Sequence, residues 1–106
     1  LGTDTALDAA RFMTVCFPTT PSFQSQCPAA VHVDGTARPQ LVDAQSNPSL
    51  HALLGAVGEL TGTPVLINTS FNLHEEPIVC TPMDAIRAFQ GAALDALWLG
   101  EQVITR

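Results

Sequence analysis

The spacing of apolar residues predicts a first helix in the middle of the chain. Asn47 is a favourable N-cap, Pro48 suits the first helical position, and Gly62 can end the helix. Between them, apolar side chains recur every three or four residues and form one stripe along the helix. The stripe consists of Leu50, Leu53, Leu54, Val57 and Leu60.

A second helix is predicted near the end of the chain. Thr81 is its N-cap, Pro82 takes the first position, and Asp84 completes a pair that resembles a capping box. Gly91 closes the helix. Its inward face is formed by Ala85, Ile86 and Phe89.

Short alternating or continuous apolar stretches predict the strands. Asp34-Gly35 marks a tight turn between two of them. Residues 1–8 are expected to be frayed, and the proline-rich residues 18–29 are expected to form an exposed loop. Alternating strands and helices with short connections predict an α/β or α+β domain, with helices packed on a mixed sheet. The predicted strands are Arg11–Phe17, Val31–Val33, Thr36–Val42 interrupted by Pro39, the buried Val65–Ile67, Leu94–Leu99 and Gln102–Thr105.

The composition limits the classes of function. The 106 residues fit one domain, and a net charge of −6 without any lysine argues against nucleic-acid binding. An apolar content of 46% with 13% charged residues suggests that some apolar surface meets another domain or subunit. No stretch approaches the roughly 18 apolar residues of a membrane span, and no signal peptide is recognisable. A cytoplasmic protein without a membrane partner is therefore expected.

The cysteines favour a structural role. Cys16, Cys27 and Cys80 are widely spaced and form no C-x-x-C motif. An odd count without metal-ligand spacing is typical of reduced thiols rather than of a disulfide scaffold or a zinc site. No bound metal is predicted.

Two polar side chains follow the apolar run that ends at Ile67. Asn68 and Ser70 lie two residues apart, so in extended backbone they point the same way. Together they offer an amide and a hydroxyl, which suit a carbamoyl group or a phosphate oxygen. The alternative is that both side chains only satisfy the backbone of a turn.

Arg38 is the second candidate, in a chain with four cations. A guanidinium on a strand can clamp a phosphate or carboxylate through two parallel hydrogen bonds. The alternative is a surface ion pair with Asp34 or Asp43. His32 could serve as a base or ligand, but a lone histidine in an apolar stretch is more often a hydrogen-bonded structural residue.

Several motifs in unbroken order resemble the C-terminal domain of O-carbamoyltransferases, the nodulation-factor and antibiotic-tailoring enzymes. The similarity runs from about residue 12 to the end of the chain. Its motifs are His32–Gln40, Asn47–Pro48, Gly62–Asn72, Glu76–Pro82 and Asp84–Ala85.

The resemblance implies a YrdC-like nucleotide-binding fold, a twisted mixed sheet with packed helices around a ligand cavity. Such a domain forms carbamoyl-adenylate from carbamoyl phosphate and ATP, with Mg²⁺, and an N-terminal actin/Hsp70-like domain passes the carbamoyl group to a substrate hydroxyl. By resemblance, Arg38 contacts the phosphate of the nucleotide or adenylate. Asn68 and Ser70 hold the carbamoyl-phosphate end. The implied role is that of a transferase in a biosynthetic pathway.

Two features depart from the family pattern. The family usually has a glycine where this chain has Glu75, and an extra carboxylate near an anionic ligand is unfavourable unless it faces solvent. The family domain also begins with a portion rich in Gly, Arg and Lys, which this chain lacks. The chain is therefore expected to be the C-terminal two thirds of that domain and inactive alone. The alternative is a non-catalytic module that binds a partner or a small anion.

Overall fold

The chain folds into four α-helices, a 3₁₀-helix and four strands, as a computed structural model describes for residues 3–106. It divides into two compact units, one ending at Ile67 and one beginning at Asn68. The first unit contains α1 (Thr3–Ala10), β1 (Phe17–Pro18), α2 (Pro21–Gln26), the 3₁₀-helix Pro28–Ala30, β2 (Thr36–Ala37) and α3 (Pro48–Thr61). The second contains α4 (Pro82–Gly91), β3 (Ala96–Leu99) and β4 (Gln102–Thr105).

The strands of residues 3–106 form two antiparallel pairs. In the first unit β1 pairs with β2, with Phe17 opposite Ala37. In the second unit β3 pairs with β4, with Trp98 opposite Val103. The mixed α/β class predicted from the sequence is confirmed, and its strands lie in these two ladders.

The second unit has its own apolar core. The inward face of α4 packs on β3, and Ala85, Phe89 and Leu97 are buried. The predicted helix start is confirmed, because the Thr81 hydroxyl accepts from the Asp84 N–H at 3.2 Å and the Asp84 carboxylate accepts from the Thr81 N–H at 2.9 Å. Partly buried side chains complete this core: Phe71, Val79, Ile86, Leu99 and Ile104.

The first unit is thinly packed. The predicted bounds of α3 are confirmed, because the Asn47 side-chain Oδ1 accepts from the Leu50 N–H at 3.2 Å and Gly62 ends the helix at a φ of 79°. However, no residue of α3 is buried, and Leu60 at the end of its apolar stripe is 87% exposed. Among the described residues of this unit, Ala10 is the one buried apolar residue.

The predicted strand Arg11–Phe17 is wrong. The Phe12 N–H donates to the Ala9 carbonyl at 3.3 Å and so continues the last turn of α1. Met13 then adopts a φ of 55°, which turns the chain away from an extended path. The backbone N–H of Phe12 is bonded to the end of α1 and the chain turns at Met13, so these residues cannot pair in a ladder. Within the predicted range only Phe17 belongs to a strand, β1.

The predicted buried strand Val65–Ile67 is also wrong. These residues have no regular secondary structure, and Ile67 is 64% exposed. The Val65 N–H donates to the Thr63 carbonyl at 2.9 Å, which forms a tight local turn instead of a ladder. A strand needs a partner, and the pairs described for residues 3–106 involve other segments.

Three further local predictions are corrected by the structure. Val31–Val33 forms no strand, and Val33 lies fully exposed in the turn before Gly35. The strand predicted from Thr36 ends at Ala37, shortly before Pro39, which has no N–H to donate. The loop predicted over 18–29 contains α2 and most of the 3₁₀-helix.

The expectation of fraying over residues 1–8 is wrong for residues 3–8, which are helical, while residues 1 and 2 lie outside the described residues. None of the helices found in residues 3–106 has the length and apolarity needed to cross a membrane.

Candidate functional site

The polar segment Asn68–Ser70 lies at the start of the second unit and is exposed. It has no regular secondary structure, so its side chains are not committed to a strand face. The next residue, Phe71, packs against the core of this unit. The segment is thus an exposed polar stretch tethered at its C-terminal end by an apolar anchor.

A closed loop follows this anchor. The Val79 N–H donates to the Phe71 carbonyl at 3.0 Å, and both side chains pack on the core. Inside the loop, the Glu76 N–H donates to the Leu73 carbonyl at 3.1 Å and forms a four-residue turn. The core and this turn together fix the path of the chain directly after Ser70.

Asn72 stabilises the loop with its side chain. Its amide donates to the Leu73 carbonyl at 3.0 Å and to the Glu76 carbonyl at 3.1 Å. No role for Asn72 was predicted from the sequence. The available signal was general, since asparagine side chains often bond to nearby backbone groups in turns.

Glu75 occupies the third position of this turn with a φ of 64°. This is the left-handed region that glycine adopts without cost and most other residues avoid. A glycine, which the resemblance leads us to expect at this place, would adopt this conformation without strain. The Glu75 side chain is 87% exposed, so its carboxylate faces solvent.

Arg38 follows β2 directly and is exposed. The alternative of an ion pair with Asp34 or Asp43 is not observed among the described residues. The carboxylate of Asp43 accepts from the Arg11 guanidinium at 2.6 Å, and that of Asp34 accepts from the N–H and hydroxyl of Thr36. Both acids thus have other partners, which leaves the Arg38 guanidinium available for an anion.

These partners also set the ionisation of the two acids. Hydrogen bonds from the Ser46 N–H and hydroxyl, with smaller contributions from the Gln45 N–H and the Arg11 charge, lower the pKa of Asp43 to about 2. The side-chain hydrogen bond from Thr36 is the largest cause that lowers the pKa of Asp34. Both groups are therefore carboxylates at neutral pH.

His32 is hydrogen-bonded, as predicted from the sequence. Its Nδ1 lies 3.0 Å from the Thr36 hydroxyl, and that hydroxyl donates to the Asp34 carboxylate at 2.7 Å. The backbone closes the same turn, because the Gly35 N–H donates to the His32 carbonyl at 2.9 Å. The three side chains form a continuous chain of hydrogen bonds.

The second unit also contains a surface cavity of about 370 Å³ beside the loop and α4. Glu76 and Asp84 line it, and its cation, Arg87, lies 4.0 Å from the Asp84 carboxylate. Two acids against one arginine make this cavity a poor site for a phosphate. Within residues 3–106, no group of three or more His, Cys, Asp or Glu side chains is arranged to hold a metal ion.

The sequence-predicted site residues are all exposed, with Arg38 in the first unit and Asn68 and Ser70 in the second. Their convergence on one ligand stays a prediction. The described residues thus form a mixed α/β protein in which the side chains of Arg38, in the first unit, and of Asn68 and Ser70, in the second, are exposed.

Comparison with known proteins gives the family. Residues 3–106 match the family described as Carbamoyltransferase C-terminus, and the chain belongs to this family. It is 42% identical to an uncharacterized protein of Methanocaldococcus jannaschii over 91% of this chain and 16% of that protein. It is 39% identical to the nodulation protein NolNO of Sinorhizobium fredii over 90% of this chain and 14% of that protein.

A third relative carries an enzyme name. The chain is 36% identical to the 3'-hydroxymethylcephem-O-carbamoyltransferase of Streptomyces clavuligerus, over 69% of this chain and 14% of that enzyme. The chain thus spans about one sixth or less of the length of each of these three curated relatives.

Proposed function

We propose that the chain acts as part of an O-carbamoyltransferase and binds carbamoyl phosphate and ATP for carbamoyl-adenylate formation. The carbamoyl group then passes to a substrate hydroxyl in a larger protein that includes an actin/Hsp70-like domain. Membership of the carbamoyltransferase C-terminal family supports this role, as does a relative named for O-carbamoyl transfer.

The observation that carries the proposal is the exposed Arg38 guanidinium, whose neighbouring acids have other partners. Its guanidinium is exposed, and the two acids nearest in sequence are occupied by Arg11 and Thr36. A guanidinium with its donors available can bind a phosphate through two charge-assisted hydrogen bonds. In the proposed site Arg38 binds the phosphate of the nucleotide or adenylate.

Asn68 and Ser70 have the complementary role. Both are exposed on a segment whose following residue is anchored in a core, so their backbone is held from one side. In the proposed site they donate to the oxygens of the carbamoyl-phosphate end, where charge develops as the mixed anhydride forms. Mg²⁺ accompanies ATP and would neutralise its phosphates.

The isolated chain is proposed to be inactive. ATP and carbamoyl phosphate are polyanions, and this chain has four arginines, no lysine and a net charge of −6. Arg11 is paired with Asp43, and Arg106 donates to carbonyls at the end of α4, which leaves few cations for phosphate. Further basic groups must come from elsewhere in the longer protein.

The test compares two purified proteins. The longer protein that contains this chain, incubated with ATP, Mg²⁺, carbamoyl phosphate and a hydroxyl acceptor, should give a carbamoylated acceptor by mass spectrometry. The 106-residue chain alone should give none. ATP-dependent transfer by the isolated chain would contradict its inactivity, and no transfer by the longer protein with a range of acceptors would favour a non-catalytic binding module.

A further inference from the structure

We propose that His32 is a ligand-binding residue whose Nε2 accepts a hydrogen bond from an N–H or O–H group of the ligand that Arg38 binds. This inference rests on the proposed function, because it takes the Arg38 ligand to be a phosphate compound. It adds recognition of an uncharged donor group to the binding of the phosphate.

The direction of the hydrogen bonds determines the imidazole tautomer. Asp34 is a carboxylate and can only accept, so the Thr36 hydroxyl, 2.7 Å away, donates its single proton to it. The same hydroxyl can then only accept from His32, whose Nδ1 lies 3.0 Å away. Nδ1 of the neutral ring therefore carries the proton, and Nε2 carries the free lone pair.

The turn does not need this chain of side chains to close. The Gly35 N–H donates to the His32 carbonyl at 2.9 Å, and the His32 N–H donates to the Thr36 carbonyl at 2.7 Å. The turn projects into solvent, as the fully exposed Val33 shows, and His32 is exposed as well. The side-chain bonds thus orient an exposed imidazole on a turn that the backbone already holds.

His32 and Arg38 are expected to lie on one face of β2. Pro39 restricts the preceding Arg38 to extended conformations, so the alternation of the strand continues through it. Thr36 and Arg38 are two residues apart and therefore leave the same face. Since the imidazole is bonded to Thr36, we expect its Nε2 and the Arg38 guanidinium to be close enough to bind one ligand.

The first experiment measures the tautomer in the 106-residue chain. Nitrogen-15 NMR of the His32 ring at pH 8 reports which nitrogen carries the proton. We expect a protonated Nδ1 in the wild type and in Thr36→Ser, which keeps the hydroxyl, and a mixture in Thr36→Val. A wild-type ring protonated mainly at Nε2 would overturn the inference without any variant.

The second experiment adds ligands to the longer protein that contains this chain, because the proposed site needs its further basic groups. Sulfate has no donor and should shift the Arg38 side-chain signals while leaving Nε2 unchanged. Carbamoyl phosphate should shift the signals of both residues if its carbamoyl N–H is the group that donates to Nε2. A shift of both with AMP, but of Arg38 alone with carbamoyl phosphate, would assign the donor to the nucleoside.

A third experiment measures the ligand affinities of His32 variants. His32→Phe should weaken binding of the donor-bearing ligand about three- to tenfold, as expected for one hydrogen bond, with sulfate binding unchanged. His32→Gln, whose carbonyl can accept, should recover most of this loss. Ligand shifts at Arg38 without any at His32 would overturn this inference alone, whereas no response at either residue of the longer protein would contradict the proposed function as well.

Discussion

The side-chain amide of Asn72 donates to the backbone carbonyl of Glu76 at 3.1 Å, across the turn that follows the exposed polar segment. The same amide bonds the Leu73 carbonyl, so one side chain links both ends of the turn. Because the loop is closed at its base by Phe71 and Val79, the backbone after Ser70 is fixed by bonds within the second unit. The exposed polar segment directly before this loop is therefore tethered at its C-terminal end.

Replacing Asn72 should therefore loosen the loop. Asn72→Leu keeps a similar volume but removes two hydrogen bonds, and we expect a loss of about 1–2 kcal/mol in the free energy of unfolding. Amide hydrogen exchange at the Glu76 N–H should accelerate. His74→Ala, at a side chain that is 97% exposed, is the control and should change stability by less than about 0.5 kcal/mol. Equal effects of the two substitutions would show that the Asn72 bonds contribute nothing.

Glu75→Gly should stabilise the protein. The backbone of Glu75 has a φ of 64°, where a side chain costs about 1 kcal/mol or more, and glycine removes that strain while adding some unfolded-state entropy. We expect a net gain of about 0.5–1 kcal/mol in chemical denaturation. Glu76→Gly is the control, because it removes the same charge at a residue whose φ is not positive. No backbone strain is relieved there, so the substitution should be neutral or destabilising. A gain with both substitutions would assign the effect to charge instead.

Stability should depend on pH through Asp43. Its pKa is lowered from 3.8 to about 2 by bonds that exist in the folded state, so folding favours the carboxylate. This contribution is complete above pH 3.8 and is lost as the pH falls toward 2. The difference in melting temperature between wild type and Asp43→Asn should shrink over that range. An Asp43 carboxyl that titrates by NMR at its ordinary value would contradict this prediction.

Helix starts were predictable because their signals are local. Asn47-Pro48 and Thr81-Pro82 each place a capping side chain before a proline, and both helices begin there. Thr20-Pro21 carries the same signal, and the Thr20 hydroxyl accepts from the Phe23 N–H at 3.2 Å at the start of α2. That helix was missed because its six residues show no apolar periodicity.

Strands were less predictable because pairing is not local. Val65–Ile67 has the composition of a buried strand, but strand formation requires a neighbouring chain segment that local sequence does not reveal. β3 and β4 were predicted well because they are close in sequence and pair with each other across Gly100 and Glu101. Strands that pair with a segment close in sequence were thus predicted correctly, whereas the strand that would need a distant partner was predicted wrongly.

The candidate site also divides into features with a local sequence signal and features that depend on other residues. The sequence identified Arg38, Asn68 and Ser70 by residue type, and it noted that Glu75 replaces a glycine. The positive φ of Glu75 and the availability of Arg38 depend on hydrogen bonds and ion pairs between other residues, which no single-residue signal encodes.

The most direct test of the proposed function is pyrophosphate release by the longer protein with Arg38→Ala. Loss of a charge-assisted bidentate contact should lower ATP- and carbamoyl-phosphate-dependent release at least about tenfold. Arg87→Ala is the matched control, since its exposed guanidinium lies beside Asp84, and release should stay at the wild-type rate. Unchanged release by Arg38→Ala would contradict the assignment of Arg38 to the phosphate site.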